Sequence, residues 1–369
     1  DVPFLSSRQG PQKIRTVEFP ERVKKLAILL TAVLLVSGNA GAAESPRRGL
    51  FVSMIQSPQV LSSRESILEL VRFSKKSGID TLYVQVYRAN KTWFASKIAD
   101  DSLYKAALKE MGEDPFTLLI REAQASHIQV HAWMNLLSLS ENENAPLLKK
   151  YGASILTQNN QTPKKTLPDY KIDNQYFLEP GDSRVRKELA GLVGEVLKAY
   201  PELDGIQFDY IRYPDVHPET DPARKDLKRA KVTHLLEFLV KKTRALRPNI
   251  QVSTTGCVPF VRAYHEAFQD WPSWIDRSLV DFVTVMNYSA DPAEFERFLK
   301  DAKTRTKYPS KMNITVGAYK PATTPESFAK QWKICEASGC GSCVVFHYGN
   351  RNVIIPAWKP SDPQNSATR

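Results

Sequence analysis

One carboxylate stands apart by its surroundings. Asp209 lies in the segment running from Asp204 to Pro214, where Ile206, Phe208 and Tyr210 alternate with Gln207 and Asp209. Side chains on a strand point to opposite faces with period two, so Gln207 and Asp209 share one face and the apolar residues the other. A carboxylate flanked by Phe208 and Tyr210, with Arg212 close behind, has the make-up of a nucleophile, a general base or a stabiliser of positive charge. A salt bridge to Arg212 is the structural alternative, and alternation places Arg212 on the opposite face unless the strand has already ended.

Carboxylate chemistry that breaks a bond to oxygen ordinarily needs a second carboxyl group, one protonating the leaving oxygen and the other acting as nucleophile or base. Glu179, Asp215, Glu266, Asp270 and Asp291 are the candidates, ranked Glu266, Asp291, Glu179. Each also reads as a surface charge or a cap, and Asp182 and Asp291 suit helix N-caps. Arg88, Asn135, Asn287, Tyr288 and His347 end apolar runs and are expected to bind substrate, together with Gln85, Gln207 and Arg212. Trp271 and Trp274, with Trp93, fall in expected loops, where flat aromatic faces could stack on a ring-shaped ligand. His127 and His131 are four apart on a strand, about 13 Å, too far to share one metal ion. No metal and no cofactor is expected.

These residues need a scaffold that brings strand ends together. Apolar runs begin near Leu50, Thr81, Ile128, Gly205, Ile250, Asp281, Met312 and Ser342. Helical patterns lie between them, including Ser66–Ser77, Pro115–Ala125, Arg184–Tyr200 and Pro325–Ala337. Eight strand–helix units of this kind describe an α/β fold, a (β/α)8 TIM barrel over residues 46–350, with insertions after strands two, three and four and a tail over 351–369. An open doubly wound sheet is disfavoured, because no G-x-G-x-x-G follows any strand. In strand three Gln129, His131, Trp133 and Asn135 alternate with aliphatic residues, and in strand seven Asn313, Thr315 and Tyr319 do so. The aliphatic set must face the helices, which puts the polar set inside the barrel. Buried polar groups cost free energy unless hydrogen-bonded, so a solvated, ligand-binding mouth follows, with Gln129 and His131 deeper in an internal network.

The segment Asp204–Pro214 resembles the strand-four motif of exported bacterial glycosyl-hydrolase-like barrels with F-D-Y-I-R-F-P or F-D-D-Y-F-Y-P signatures. Arg48–Gly49–Leu50, His131–Ala132–Trp133 with Asn135, Glu179–Pro180–Gly181 with Val185–Arg186, and Val285–Met286–Asn287–Tyr288 extend the likeness over about residues 46–350. The resemblance implies a barrel that hydrolyses carbohydrate, with Asp209 at the motif aspartate. Tyr210 stands where the F-D-D-Y type carries a second acid. Family 18 chitinases are similar more distantly, through Asp204, Gly205, Asp209, Met286 and Tyr288. Ile211 occupies the place of their catalytic glutamate and cannot donate a proton, so chitinase chemistry in that form is excluded.

The chain has 369 residues, 42% hydrophobic and 25% charged, with a net charge of +11, an ordinary globular composition. Arg22, Lys24 and Lys25 precede the apolar run Leu26–Val36, and Ala40–Gly41–Ala42 offers a small-x-small site, the three parts of a secretory signal. Residues 1–43 are read as an extension plus cleaved signal, with translation expected to begin at Val23, and the mature chain as secreted or periplasmic without a stable membrane span. Residues 1–42 carry three of the eleven net positive charges, leaving +8. A basic exported chain suits anionic envelope polymers. Ala223–Pro248 holds nine Lys and Arg, and Leu227, Leu235, Leu236 and Leu239 recur there as the apolar side of a helix with a basic face. Nucleic acid is a poor partner for such a chain, which has no reading motif. Cys257, Cys335, Cys340 and Cys343 permit three full pairings, and Cys340–Gly–Ser–Cys343 leads into a strand rather than the helix that thiol-redox chemistry needs. Two function classes follow: a glycoside hydrolase acting on a polysaccharide, or a glycan-binding barrel without catalysis.

Overall fold

The alternation of apolar and polar residues is realised as eight parallel strands in a computed structural model that describes residues 47–158, 163–214 and 219–357, with side chains to Ile354. The strands are β1 (Arg47–Val52), β2 (Thr81–Arg88), β3 (Gln129–Asn135), β4 (Gly205–Asp209), β5 (Gln251–Cys257), β6 (Phe282–Asn287), β7 (Met312–Gly317) and β8 (Ser342–Phe346). Each pairs in parallel with the next, and β1 pairs with both β2 and β8, which closes the barrel. Seven of the eight starts fall within one residue of the sequence expectation, and the first lies three residues earlier. The signal segment, the Val23 start, Asp215 and residues 358–369 lie outside the described residues.

Helices alternate with the strands: α1 (Arg64–Lys76), α2 (Ser102–Met111), α3 (Pro115–Gln124), α4 (Pro146–Tyr151), α5 (Ser183–Ala199), α6 (Pro222–Leu246), α7 (Phe260–His265), α8 (Trp271–Asp276), α9 (Pro292–Thr304), α10 (Pro325–Glu336) and α11 (Arg351–Ala357). An Asp–Pro pair opens α3, α6 and α9. In each the carboxylate accepts from a first-turn amide, and proline at the first helical position gives up a donor that has no partner anyway. Asp182 caps α5 in the same way. The α6 face departs from the sequence reading. Val232, Leu235, Leu236, Leu239 and Val240 are buried, but Leu227 is 55% exposed, as are Phe238 and Leu246 in part, so apolar residues also reach solvent. Among the described residues, no helix is long and apolar enough to cross a membrane.

Two cores result. The larger lies between strands and helices and takes the outward residues, such as Val130, Ala132 and Met134 of β3. The second fills the barrel with Phe51, Tyr83, Trp133 and Val344, joined by Phe282 and Phe346. The interior is therefore not uniformly polar: aromatic rings occupy its waist, with Phe51 in edge contact with Trp133 at 4.9 Å. Gln207 is fully buried, its Oε1 accepting from Thr284 and Ser253 hydroxyls at 2.9 and 3.4 Å. Cys335 of α10 bonds Cys343 of β8 at 2.11 Å, while Cys257 and Cys340 remain buried thiols, so the Cys340–Cys343 spacing is not a disulfide.

His131 faces the waist from β3, and a Cβ on Gly205 of the next strand would stand 2.2 Å from its Nδ1, which fixes glycine there. Neither ring nitrogen has a hydrogen-bond partner among the described residues, so His131 does not sit in the expected network. Burial pushes its pKa down to about 3, with the Arg47 charge adding to the effect. The folded pKa lies below the unfolded value of 6.5. Unfolding therefore takes up a proton between these values, and stability falls as pH drops below 6.5, by up to about 1.4 kcal/mol per unit. Thermal melts from pH 7 to pH 4 should show a steeper loss for wild type than for His131→Asn. Parallel curves would contradict this.

Candidate active site

The C-terminal ends of all eight strands, or the loops that follow them, open into a cleft of about 600 Å³. A second opening of about 490 Å³ lies at the strand starts, lined by Arg47, Thr81, Gln129, Gln251 and Ser342. In barrels of this type chemistry sits at the strand ends, and the opposite face serves stability. The strand-end cleft is therefore the candidate site.

Asp209 is its buried carboxylate, 4% exposed, at the last position of β4. Its Oδ2 accepts from Trp133 Nε1 of β3 at 2.9 Å. Its Oδ1 accepts from Thr255 Oγ1 of β5 at 2.6 Å and from the Tyr210 amide at 2.7 Å. Tyr210 has φ +55°, a left-handed conformation costly for a bulky residue. That turn ends the strand and aims the amide back at the carboxylate. Three donors thus converge on its two oxygens.

Around it, Gln85 and Arg88 of β2, Asn135 of β3, Arg212 after β4, Tyr288 after β6 and His347 after β8 all line the cleft. Gln85 Nε2 and Asn135 Oδ1 are buried without a hydrogen-bond partner among the described residues, so each can serve a sugar hydroxyl. The strand has ended before Arg212, whose guanidinium lies 4.4 Å from the Tyr210 ring centroid. Burial, and next the charge of Asp209, push the Tyr288 phenol well above its usual range, so it stays protonated. Burial lowers the His347 pKa, which keeps the ring neutral. Its Nδ1 accepts from the Gly349 amide at 3.1 Å, which leaves the ring proton on Nε2. Among the described residues no cluster of three His, Cys, Asp or Glu side chains could hold a metal ion.

Several expected site residues lie elsewhere. Gln207 shares Asp209's face but sits one layer deeper. Asn287 points outward to α9, where Nδ2 donates to Phe295 O at 2.9 Å. Trp271 and Trp274 are fully buried: Nε1 of the first donates to Cys257 O, and Nε1 of the second to Thr233 Oγ1. Trp93 is buried too. Glu266 is exposed at the end of α7, Asp291 caps α9, and Asp270 precedes α8. Glu179 lines a separate cleft of about 480 Å³, where Oε1 accepts from Tyr213 Oη at 2.7 Å and from Lys231 Nζ at 3.1 Å. Sequence reasoning missed Glu294, the other carboxylate among the described residues lining the Asp209 cleft, along with the donor Thr255, whereas Tyr319, read as an inward residue of strand seven, does reach the rim. Glu294 lies in the first turn of α9, three residues after the Asp291 cap, and that offset was its available signal.

The sequence profile of the Glycosyl hydrolase-like 10 family matches residues 48–223 and 214–334, which takes in β1 to β7 and both cleft carboxylates. The chain belongs to this family. Its function is of glycoside hydrolase type. Glycosyl hydrolase DigH of Escherichia coli strain K12 is 21% identical over 345 residues, covering 79% of this chain and 77% of that one. Among solved structures, the GH36 α-galactosidase AgaA of Geobacillus stearothermophilus superposes with a TM-score of 0.55 at 12% identity, over 85% of this chain and 41% of that one. The family member thus spans about two fifths of the α-galactosidase. Amy13B of Eubacterium rectale gives 0.52 at 12% identity, over 82% and 65%. At such identities the likeness is one of fold.

Thr255→Val keeps the side-chain shape but removes the donor at Asp209 Oδ1. A hydrogen bond to a charged group is worth about 1.5–3 kcal/mol. Turnover of a glycan that the wild type cleaves should therefore fall at least about tenfold, with Thr255→Ser restoring most of it. Unchanged turnover in Thr255→Val would show that this bond does not support the chemistry.

Proposed function

We propose that this chain is an exported glycoside hydrolase that cleaves glycosidic bonds of a polysaccharide, a cell-wall glycan or an exopolysaccharide, with Asp209 as its essential carboxylate. The observation that carries the reading is the placement of Asp209: buried, held by three donors, and facing a solvent-filled cleft at the catalytic end of the barrel. An ionised carboxylate fixed there stabilises the positive charge that develops on the sugar ring as the bond breaks, and its donors need not reorganise. Gln85, Asn135, Arg88 and His347 supply hydrogen-bonding groups for sugar hydroxyls, and Tyr288 and Tyr319 supply ring faces. Export rests on the basic, apolar and small-residue succession of Arg22–Ala42. The cationic side chains of α6 suit an anionic polymer of the envelope, an attraction that salt screens.

Asp209→Asn is nearly isosteric and removes the charge while leaving a polar group in the cleft. Reducing-end release from a panel of bacterial glycans should fall at least about 10²-fold, with the melting temperature held. Wild-type rates in that variant would remove Asp209 from the mechanism. A wild type that binds glycan saturably but cleaves none would make the barrel a glycan-binding module. For export, the mature amino terminus should lie near Ala43, and recovery of chain carrying residues 1–42 from periplasm or medium would contradict the signal reading.

A further inference from the structure

Hydrolysis at Asp209 leaves one role unfilled. Both Asp209 oxygens are engaged as acceptors, from Trp133, Thr255 and the Tyr210 amide, which places this carboxylate to stabilise charge rather than to deliver a proton. Tyr288 holds its proton too tightly to release it near neutral pH. His347 is neutral, with its one ring proton on Nε2, and donation would leave an imidazolate. The cleft cations cannot act as acids of the needed strength.

Resting on the hydrolase reading above, we infer that Glu294 is the catalytic proton donor that partners Asp209. Glu294 is the other carboxylate among the described residues lining the same cleft, and it reaches the cleft from the first turn of α9. Tyr288 and Ser289 line the cleft with both acids, and Ser289 Oγ donates to Glu294 Oε2 at 2.8 Å. A serine hydroxyl accepts as readily as it donates, so this contact suits both the protonated and the ionised carboxyl. The other partner, Arg297 at 3.2 Å, forms an exposed ion pair, with side chains 70% and 42% exposed. Such an exposed pair does little to hold the side chain in one place. The outward position also leaves Glu294 in exchange with solvent protons, as a group that must reload each cycle requires.

In the step assigned to it, the Glu294 carboxyl proton passes to the bridging glycosidic oxygen. The electron pair of the breaking bond leaves with that oxygen, which departs as a sugar hydroxyl. Asp209 balances the charge on the anomeric carbon. Water then supplies hydroxide to that carbon and a proton that returns to the carboxylate pair, so one water is consumed per bond cleaved.

The test uses Glu294→Gln and Glu294→Ala in the full chain, beside Asp209→Asn, on the glycan that the wild type cleaves. Loss of the donor should cut reducing-end release at least about 10²-fold and remove the alkaline limb of the pH–rate profile. The 2,4-dinitrophenyl glycoside of the released sugar needs no protonation of its leaving group, so it should lose far less than the glycan does. A merely structural role for Glu294 would depress both substrates equally. Wild-type rate and pH profile in Glu294→Gln, with Asp209→Asn inactive, would overturn the assignment and leave the hydrolase reading standing. A wild type without turnover on any glycan would overturn both.

Discussion

The site depends on keeping one negative charge stable inside a protein. Asp209 is 4% exposed, and an ionised carboxylate removed from water is costly unless its oxygens are hydrogen-bonded. The compensation comes from three places in the fold: the indole of Trp133 on β3, the hydroxyl of Thr255 on β5, and the chain's own turn at Tyr210. Closure of the barrel sets the two neighbours in register, Asn135 opposite Asp209 on one side and Thr254 opposite Phe208 on the other. A slip of one residue in either strand would turn its donor to the helix side and strand the charge.

The aromatic waist supports the same arrangement from below. Trp133 packs edge-on against Phe51 and also contacts Phe346, so its indole nitrogen is held by ring packing as well as by the bond it makes. Tyr83, one of the waist rings, meets His131 edge-on, and its hydroxyl accepts from Asn313. Gln85 Nε2 and Asn135 Oδ1 are left with unmade bonds, as is Gln207 Nε2, but only the first two residues line the strand-end cleft. Unmade bonds facing solvent are what a ligand can complete.

Much of the scaffold was legible because it rests on period. The alternation in β3, β4 and β7, and the Asp182 and Asp291 caps of α5 and α9, follow from local rules that a sequence displays directly. Asp209 was legible because it combines strand-end position with chemistry. Depth was not: Gln207 and Asp209 share a face, and period two says nothing of which layer is wet. Asn287 and Tyr288 are adjacent, so both could not point inward, and the strand's phase, set by Thr284 bonding Gln207 inside, selected Tyr288. Trp271 and Trp274 read as loop residues beside Pro272, but a short helix places positions three apart on one side, and both were drawn into the core. The other carboxylate of the cleft was hidden for a related reason. Asp291 and Glu294 are both acids at one helix start, where capping explains either, and the structure assigns the cap to Asp291 and the cleft to Glu294.

The most direct test is a crystal structure of the cleavage-deficient Asp209→Asn protein with an oligosaccharide of the wild type's substrate. The account predicts a glycosidic bond across the strand-end cleft, with the anomeric carbon about 3–3.5 Å from the residue 209 side chain and the bridging oxygen facing Glu294. An oligosaccharide seated instead in the Glu179–Tyr213 cleft, or at the opening lined by the strand starts, with the Asp209 cleft empty, would contradict it.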